Sequence, residues 1–151
     1  MTDARKLRLS LESTLDSVEA AELIVQRMAE LNGFDPDQVH QIGMGVRETM
    51  ANAVIHGNGL SPDKSVRFDA SIDEQAFRVR VADEGSGFDP DSVADPLDKG
   101  GLLLPSGRGL LMMRAFFDEV EIGSSVDSGT RVRLVKYRTK GAGGTTQEED
   151  Q

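Results

Sequence analysis

The chain has no cysteine and no tryptophan, one tyrosine and two histidines among its 151 residues. Without cysteine, disulfide bridges and thiolate metal sites are excluded. His40 and His56 alone leave little material for a histidine-rich metal centre. The shortage of Trp and Tyr removes the stacking platforms on which single-stranded nucleic acids are held. No apolar run is long enough to span a bilayer, and nothing near the N-terminus reads as a signal peptide. The expected location is therefore the cytoplasm. Basic residues are in the minority, 17 against 26 acidic ones, for a net charge of −9. That balance argues against nucleic acid or an anionic membrane as the principal partner. There is also no Gly-x-x-x-x-Gly-Lys-Ser/Thr run, so the common phosphate loop is missing.

What is present is enough for one domain with a single sizeable core. That domain is expected at residues 1–137, and residues 138–151, Gly-rich and polar, are expected to be a disordered tail. Residues 6–11 alternate polar and apolar, which predicts a strand with one buried face. Asp16 with Glu19 three residues on forms an acidic helix-starting box, and Val18, Ala21, Val25 and Met28 carry the helix to about Leu31. Asn32-Gly33 ends it. Asp35-Pro36-Asp37-Gln38 starts a second helix, with Asp as cap and Pro at the first position. That helix stops at Gly57-Asn58-Gly59.

Residues 66–72 and 77–81 alternate on either side of a turn at Asp73-Glu74-Gln75 and predict a hairpin. One face of the pair is apolar and the other charged, so the sheet is covered on one side only. The charged side is where a partner or a second copy would dock. Residues 89–106 lack periodicity and contain three Pro and two Gly, as expected of a lid. A third helix opens at Gly107-Arg108-Gly109, with Leu110, Met113 and Phe117 at core spacing. Residues 120–122 and 130–137 form a last hairpin turned at Asp127-Ser128-Gly129. The expected fold is an α/β (α+β) two-layer sandwich: a mostly antiparallel sheet with three helices on one face.

The second helix is the centre of the chemical reading. Val39, Ile42, Val46, Met50, Ala53 and Val54 form its apolar stripe. At roughly 100° per residue, Glu48 and Asn52 fall opposite that stripe, one turn apart. They are flanked by Met44, Ala51 and Ile55 rather than by Lys and Arg. Two polar groups set into an apolar face describe a half-buried ligand pocket. The plain alternative is a surface acid and a polar residue near a helix stop. Asp83-Glu84-Gly85-Ser86-Gly87 lies at a strand end, and Gly107-Arg108-Gly109 at a helix start, where free amides attract phosphate. Each Gly-x-Gly alone is a weak signal. His56 reads as a helix-end residue bonding local backbone, and His40 as a helix-surface residue.

Glu-x-x-x-Asn-Ala-x-x-His-Gly, a strand ending in Asp-x-Gly-x-Gly, a Gly-x-Gly helix start and a strand beginning Gly129-Thr130 follow in that order. The series resembles the GHKL ATPase superfamily, and within it the bacterial anti-sigma-factor serine-protein kinases. The resemblance covers residues 6–137 and implies the Bergerat-type ATP-binding fold. It implies that Asn52 holds Mg²⁺ between the ATP phosphates and that Glu48 is the general base toward a serine hydroxyl. Asp83 would accept from the adenine amino group, with Thr130 beside the base and Gly85 and Gly87 letting the backbone pass close to it. Gly107 and Gly109 would present amides to the phosphates, and Arg108 would meet the γ-phosphate or stay solvated. The implied partners are an anti-anti-sigma-factor domain, phosphorylated on serine, and a sigma factor, with a homodimer as a known state of the family. Some of these kinases carry a basic residue where this chain has Pro105, so an ATP-responsive binding module without catalysis is the alternative.

Overall fold

The computed structural model describes residues 5–85, 109–124 and 129–138. The expected lid, residues 139–151 of the expected tail, and the turn residues Asp127 and Ser128 lie outside the described residues, whereas Arg138 is described. Five strands form one sheet in the order β1-β2-β3-β5-β4. They are β1 (Arg5–Glu12), β2 (Ser65–Ile72), β3 (Ala76–Ala82), β4 (Glu119–Ser124) and β5 (Thr130–Tyr137). Every pairing in it is antiparallel. Among the described residues there are three α-helices: α1 (Leu15–Leu31), α2 (Pro36–Ala51) and α3 (Gly109–Phe116).

Alternation in the strands decides which face is covered. Val66, Phe68, Ala70 and Ile72 of β2 are all buried, as are Val79 and Val81 of β3 and Val132 and Leu134 of β5. They meet Val18, Ala21, Val25 and Ala29 of α1, the stripe of α2, and Leu110 and Met113 of α3 in one core. The opposite face carries charge. The register sets Arg8, Asp69, Arg80, Arg133 and Glu121 side by side across all five strands. Arg133 lies 3.2 Å from Glu119 and 3.4 Å from Glu121. A chain of net charge −9 thus gathers much of its arginine on one surface.

The helix starts show local chemistry at work. Asp35 caps α2, accepting from the Gln38 N–H at 2.8 Å while Gln38 Oε1 accepts from the Asp35 N–H at 3.2 Å. The α1 start differs from expectation. Thr14 is the cap, its hydroxyl accepting from the Ser17 N–H at 3.2 Å, and Asp16 lies within the first turn. Threonine prevails because its oxygen reaches the N–H three residues on, leaving Asp16 to favour the positive end of the helix dipole. The β2–β3 turn is held by Asp73, whose Oδ1 accepts from the Gln75 and Ala76 N–H groups. Burial pushes the Asp73 carboxyl up, but those two N–H groups and Arg78 outweigh it and hold it below its usual range. Past β5, Arg138 donates to the backbone oxygens of Asn32 and Asp73 and lies over the Phe34 ring.

Two glycines of α2 govern how helices approach it. A Cβ on Gly45 would sit 2.1 Å from Cε2 of the buried Phe117 ring. A Cβ on Gly43 would meet the end of the Gln26 side chain, which can swing aside. Alanine in a helix interior gains about 1 kcal/mol over glycine. Gly43→Ala is therefore expected to stay within about 1 kcal/mol of wild type. Gly45→Ala is expected to lose about 1–3 kcal/mol, because overpacking against a fixed ring outweighs the helical gain. Urea denaturation of the two variants checks this, and equal stabilities would refute it.

Candidate nucleotide site

After Ala51 the helix widens. Residues Asn52–Gly57 form a π-helical segment, with the Asn58 N–H donating to Ala53 O at 2.8 Å. Such widenings are rare and recur at functional sites. The chain then leaves through Gly59 and Leu60, both at positive φ (61° and 59°), a conformation that costs leucine about 1 kcal/mol. The α2 stripe is buried as expected, and Glu48, Met44 and Ala51 are half-buried.

Asn52 stands at the junction of α-helix and π segment. It is 7% exposed, and among the described residues neither its Oδ1 nor its Nδ2 has a hydrogen-bond partner. Its backbone N–H is used, donating to Glu48 O and Thr49 O. A buried amide left unpaired costs about 1–3 kcal/mol, and native folds keep few of them. An amide of that kind, one turn after a half-buried carboxylate, is equipped to receive a ligand. The start of α3 is brought to the same turn. Thr49, between Glu48 and Asn52, has its hydroxyl 2.9 Å from Gly45 O and 3.0 Å from the Sδ of Met113. Met113 is four residues on from Gly109, the buried first residue of α3.

Asp83 forms the second cluster, at the end of β3. It is 6% exposed. Its N–H donates to Thr130 O at 2.9 Å, and its Oδ1 accepts from the N–H groups of Gly85 (2.9 Å) and Thr130 (3.0 Å). Oδ1 is thereby consumed by the protein, while Oδ2 has no protein donor among the described residues. Three glycines allow the chain to pack closely here, Gly57 against the carboxylate itself and Gly129 and Gly85 against neighbouring backbone. A Cβ on Gly57 would lie 2.2 Å from Asp83 Oδ2, one on Gly129 would lie 1.8 Å from Asp83 O, and one on Gly85 would lie 2.0 Å from Gly57 O. The end of the π segment, the strand end and the start of β5 thus close around Asp83.

Glu84 points away, its Oε2 accepting from the N–H and hydroxyl of Ser65, each at 2.9 Å. The Ser65 N–H, then its hydroxyl, hold this exposed carboxyl below its usual range, with Lys64 and Arg67 adding to them.

The fold therefore joins Asp83, Gly85 and Thr130 directly and sets Glu48 and Asn52 on consecutive turns leading to them. Gly87, Gly107 and Arg108 lie outside the described residues, as does Pro105. His40 is on the helix surface, as expected. His56 does end the helical segment, but it is exposed and shows no backbone bond from its ring among the described residues. Neither the π segment nor the contacts of Gly57 and Gly129 with Asp83 are legible in the sequence. Both glycines read equally well as a helix stop and a hairpin turn, and only the packing assigns them to the site.

Residues 11–136 match the histidine kinase-like ATPase domain, and the chain belongs to that family. Membership implies ATP as the nucleotide. Within the family the chain is similar to proteins named anti-sigma F factor. The one from Halalkalibacterium halodurans is 39% identical over 111 residues, 71% of this chain and 76% of its own length. The one from Clostridium beijerinckii is 30% identical over 133 residues (85% and 93%), and that from Bacillus subtilis 31% over 136 residues (87% and 88%). Among the described residues no helix is long and apolar enough to cross a membrane.

Proposed function

We propose that this chain is a cytoplasmic, ATP- and Mg²⁺-dependent serine-protein kinase and anti-sigma factor. Its substrate would be an anti-anti-sigma-factor domain, its second partner a sigma factor, and a homodimer its assembled form. The observation that carries the reading is the Asn52 amide, buried and without a partner among the described residues, one turn after Glu48. Its oxygen is a hard donor that suits Mg²⁺, which takes few protein ligands when it is shared with phosphates. Bound there, Mg²⁺ would offset charge on the phosphate oxygens.

Asp83 Oδ2 is the acceptor left for the adenine amino group, with Thr130 alongside. Gly109, at the start of α3, presents backbone amides to the phosphates, with Gly107 and Arg108 preceding it in sequence. Glu48 takes the proton of the partner's serine hydroxyl. The serine oxygen then bonds to the γ-phosphorus, the bond from that phosphorus to the bridging oxygen breaks, and ADP leaves.

Thermal melts without ligand, with Mg-ATP and with Mg-GTP test the site. ATP at about 100 times its Kd is expected to add roughly 2.7 kcal/mol, a shift of several degrees. GTP should add little, and the ATP shift should shrink in Asp83→Asn. Equal shifts with both nucleotides, or none with either, would overturn the adenine assignment.

A further inference from the structure

Asn58, directly after the π segment, is buried to 2% exposure, and its amide is fully used. Nδ2 donates to Ser13 Oγ at 2.9 Å and to Ser65 O at 3.0 Å, and Oδ1 accepts from the Glu84 N–H at 2.7 Å. Ser13 Oγ passes the chain on to Lys64 O at 2.6 Å. One side chain therefore ties together the β1–α1 turn, the end of the helix, the start of β2 and the strand end that carries Asp83. The contrast with Asn52 is instructive. Six residues apart, two buried asparagines have opposite hydrogen-bond states: one open to a ligand, one closed on the protein.

We propose that Asn58 is the positioning residue for base recognition: by holding the Glu84 N–H it fixes the pose of the Asp83 carboxylate and so sets the preference for adenine. The inference rests on the reading that Asp83 Oδ2 faces the base. The Asp83 Cα lies between two peptide groups. The one before it is anchored by its N–H to Thr130 O. The one after it contains the Glu84 N–H, which Asn58 holds. With both planes fixed, the side chain leaves the backbone in one direction. Oδ1 settles on the Gly85 and Thr130 N–H groups, and Oδ2 is aimed.

The Glu84 carboxylate cannot substitute for Asn58. It is exposed and reaches Ser65 through three rotatable bonds, so it tethers the side chain without fixing the peptide plane. Without Asn58 the 83–84 peptide loses the acceptor for its N–H, its plane is held less firmly, and the aim of Oδ2 spreads. Contacts to the phosphates, which come from Asn52 and the α3 start, are left alone.

The test compares wild type, Asn58→Ala, Asn58→Ser, Ser13→Ala and Asp83→Asn. The Kd of each is measured for Mg-ATP, Mg-GTP and Mg-tripolyphosphate, which has no base. Melting of the free protein is recorded beside it. Asn58→Ala is expected to weaken ATP about tenfold, shrink the ATP-to-GTP preference about tenfold, and leave tripolyphosphate within twofold. Ser13→Ala removes part of the same network without touching Glu84, so it should lower melting and keep the preference. Asn58→Ser, too short to reach Glu84 in the same way, should follow Asn58→Ala and serves if the alanine variant does not fold. A lowered melting temperature with a wild-type ATP-to-GTP ratio would overturn the proposal, leaving Asn58 a structural clamp. Equal weakening of tripolyphosphate would do the same. Failure of the underlying reading shows separately: wild type would not distinguish ATP from GTP, or Asp83→Asn would keep the distinction, and both ideas would fall together.

Discussion

Glu48→Gln should bind Mg-ATP with nearly wild-type affinity and transfer phosphate to the partner's serine at least about 100-fold more slowly. The expectation follows from position. Glu48 lies one turn before the unpartnered amide, is half-buried, and makes no ion pair among the described residues that would hold its carboxylate elsewhere. General-base catalysis in such a place contributes about 10²–10⁴-fold. Glutamine keeps the size and the hydrogen bonding to water but cannot take the proton. The measurement is transfer of the labelled γ-phosphate to the anti-anti-sigma-factor domain, beside an ATP titration of the same preparation. If transfer persists at the wild-type rate, Glu48 is not the base. If wild type itself transfers nothing while ATP still alters partner binding, the chain acts as a nucleotide-responsive binding module.

The second large effect concerns Asn52 and has opposite signs for stability and binding. Asn52→Leu replaces a buried amide that has no partner among the described residues by an apolar side chain of similar size. The free protein should gain about 1–3 kcal/mol, since the desolvation penalty of an unpaired polar group is removed. The same variant should lose Mg-ATP binding, with no detectable melting shift at a concentration that saturates wild type. Proteins commonly give up stability at sites that must receive a ligand. Urea denaturation without ligand and a Mg-ATP titration give the two numbers. A destabilised Asn52→Leu that still binds Mg-ATP would show that the amide serves the fold rather than the nucleotide.

Much of this molecule was legible in the chain because the signals were periodic and local. Alternation over 66–72 placed Val66, Phe68, Ala70 and Ile72 on the covered face, and all four are buried. The 3.6-residue spacing of the α2 stripe placed all six of its members in the core. The capping box at Asp35 formed as written, because it needs only residues three apart. At α1 the choice between neighbouring caps, Thr14 and Asp16, depended on where the strand released the chain, which local pattern does not state.

The order of blocks, from Glu48 and Asn52 through Asp83 to Thr130, was likewise visible. Their meeting was implied by the family resemblance alone, since no local pattern states it. Asp83 and Thr130 are 47 residues apart and are joined because β5 inserts beside β3, a pairing that the hairpin pattern alone leaves open.

The sequence by itself determined the strands, the three helices, the covered and charged faces of the sheet, and which acid and amide stand one turn apart at the end of the second helix. Those properties depend on side-chain period and on caps within one turn. The tertiary structure decided which glycines are structural punctuation and which are space for a carboxylate. It also decided which of two buried asparagines is left open. Gly57, Gly129 and Asn58 look like turn residues in the chain, and their significance comes from atoms of Asp83, Ser13 and Glu84 brought against them. A hydrogen-bond partner distant in sequence leaves no local period to read. It is fixed when the core closes and every buried polar group must find a partner in the fold or wait for one from outside.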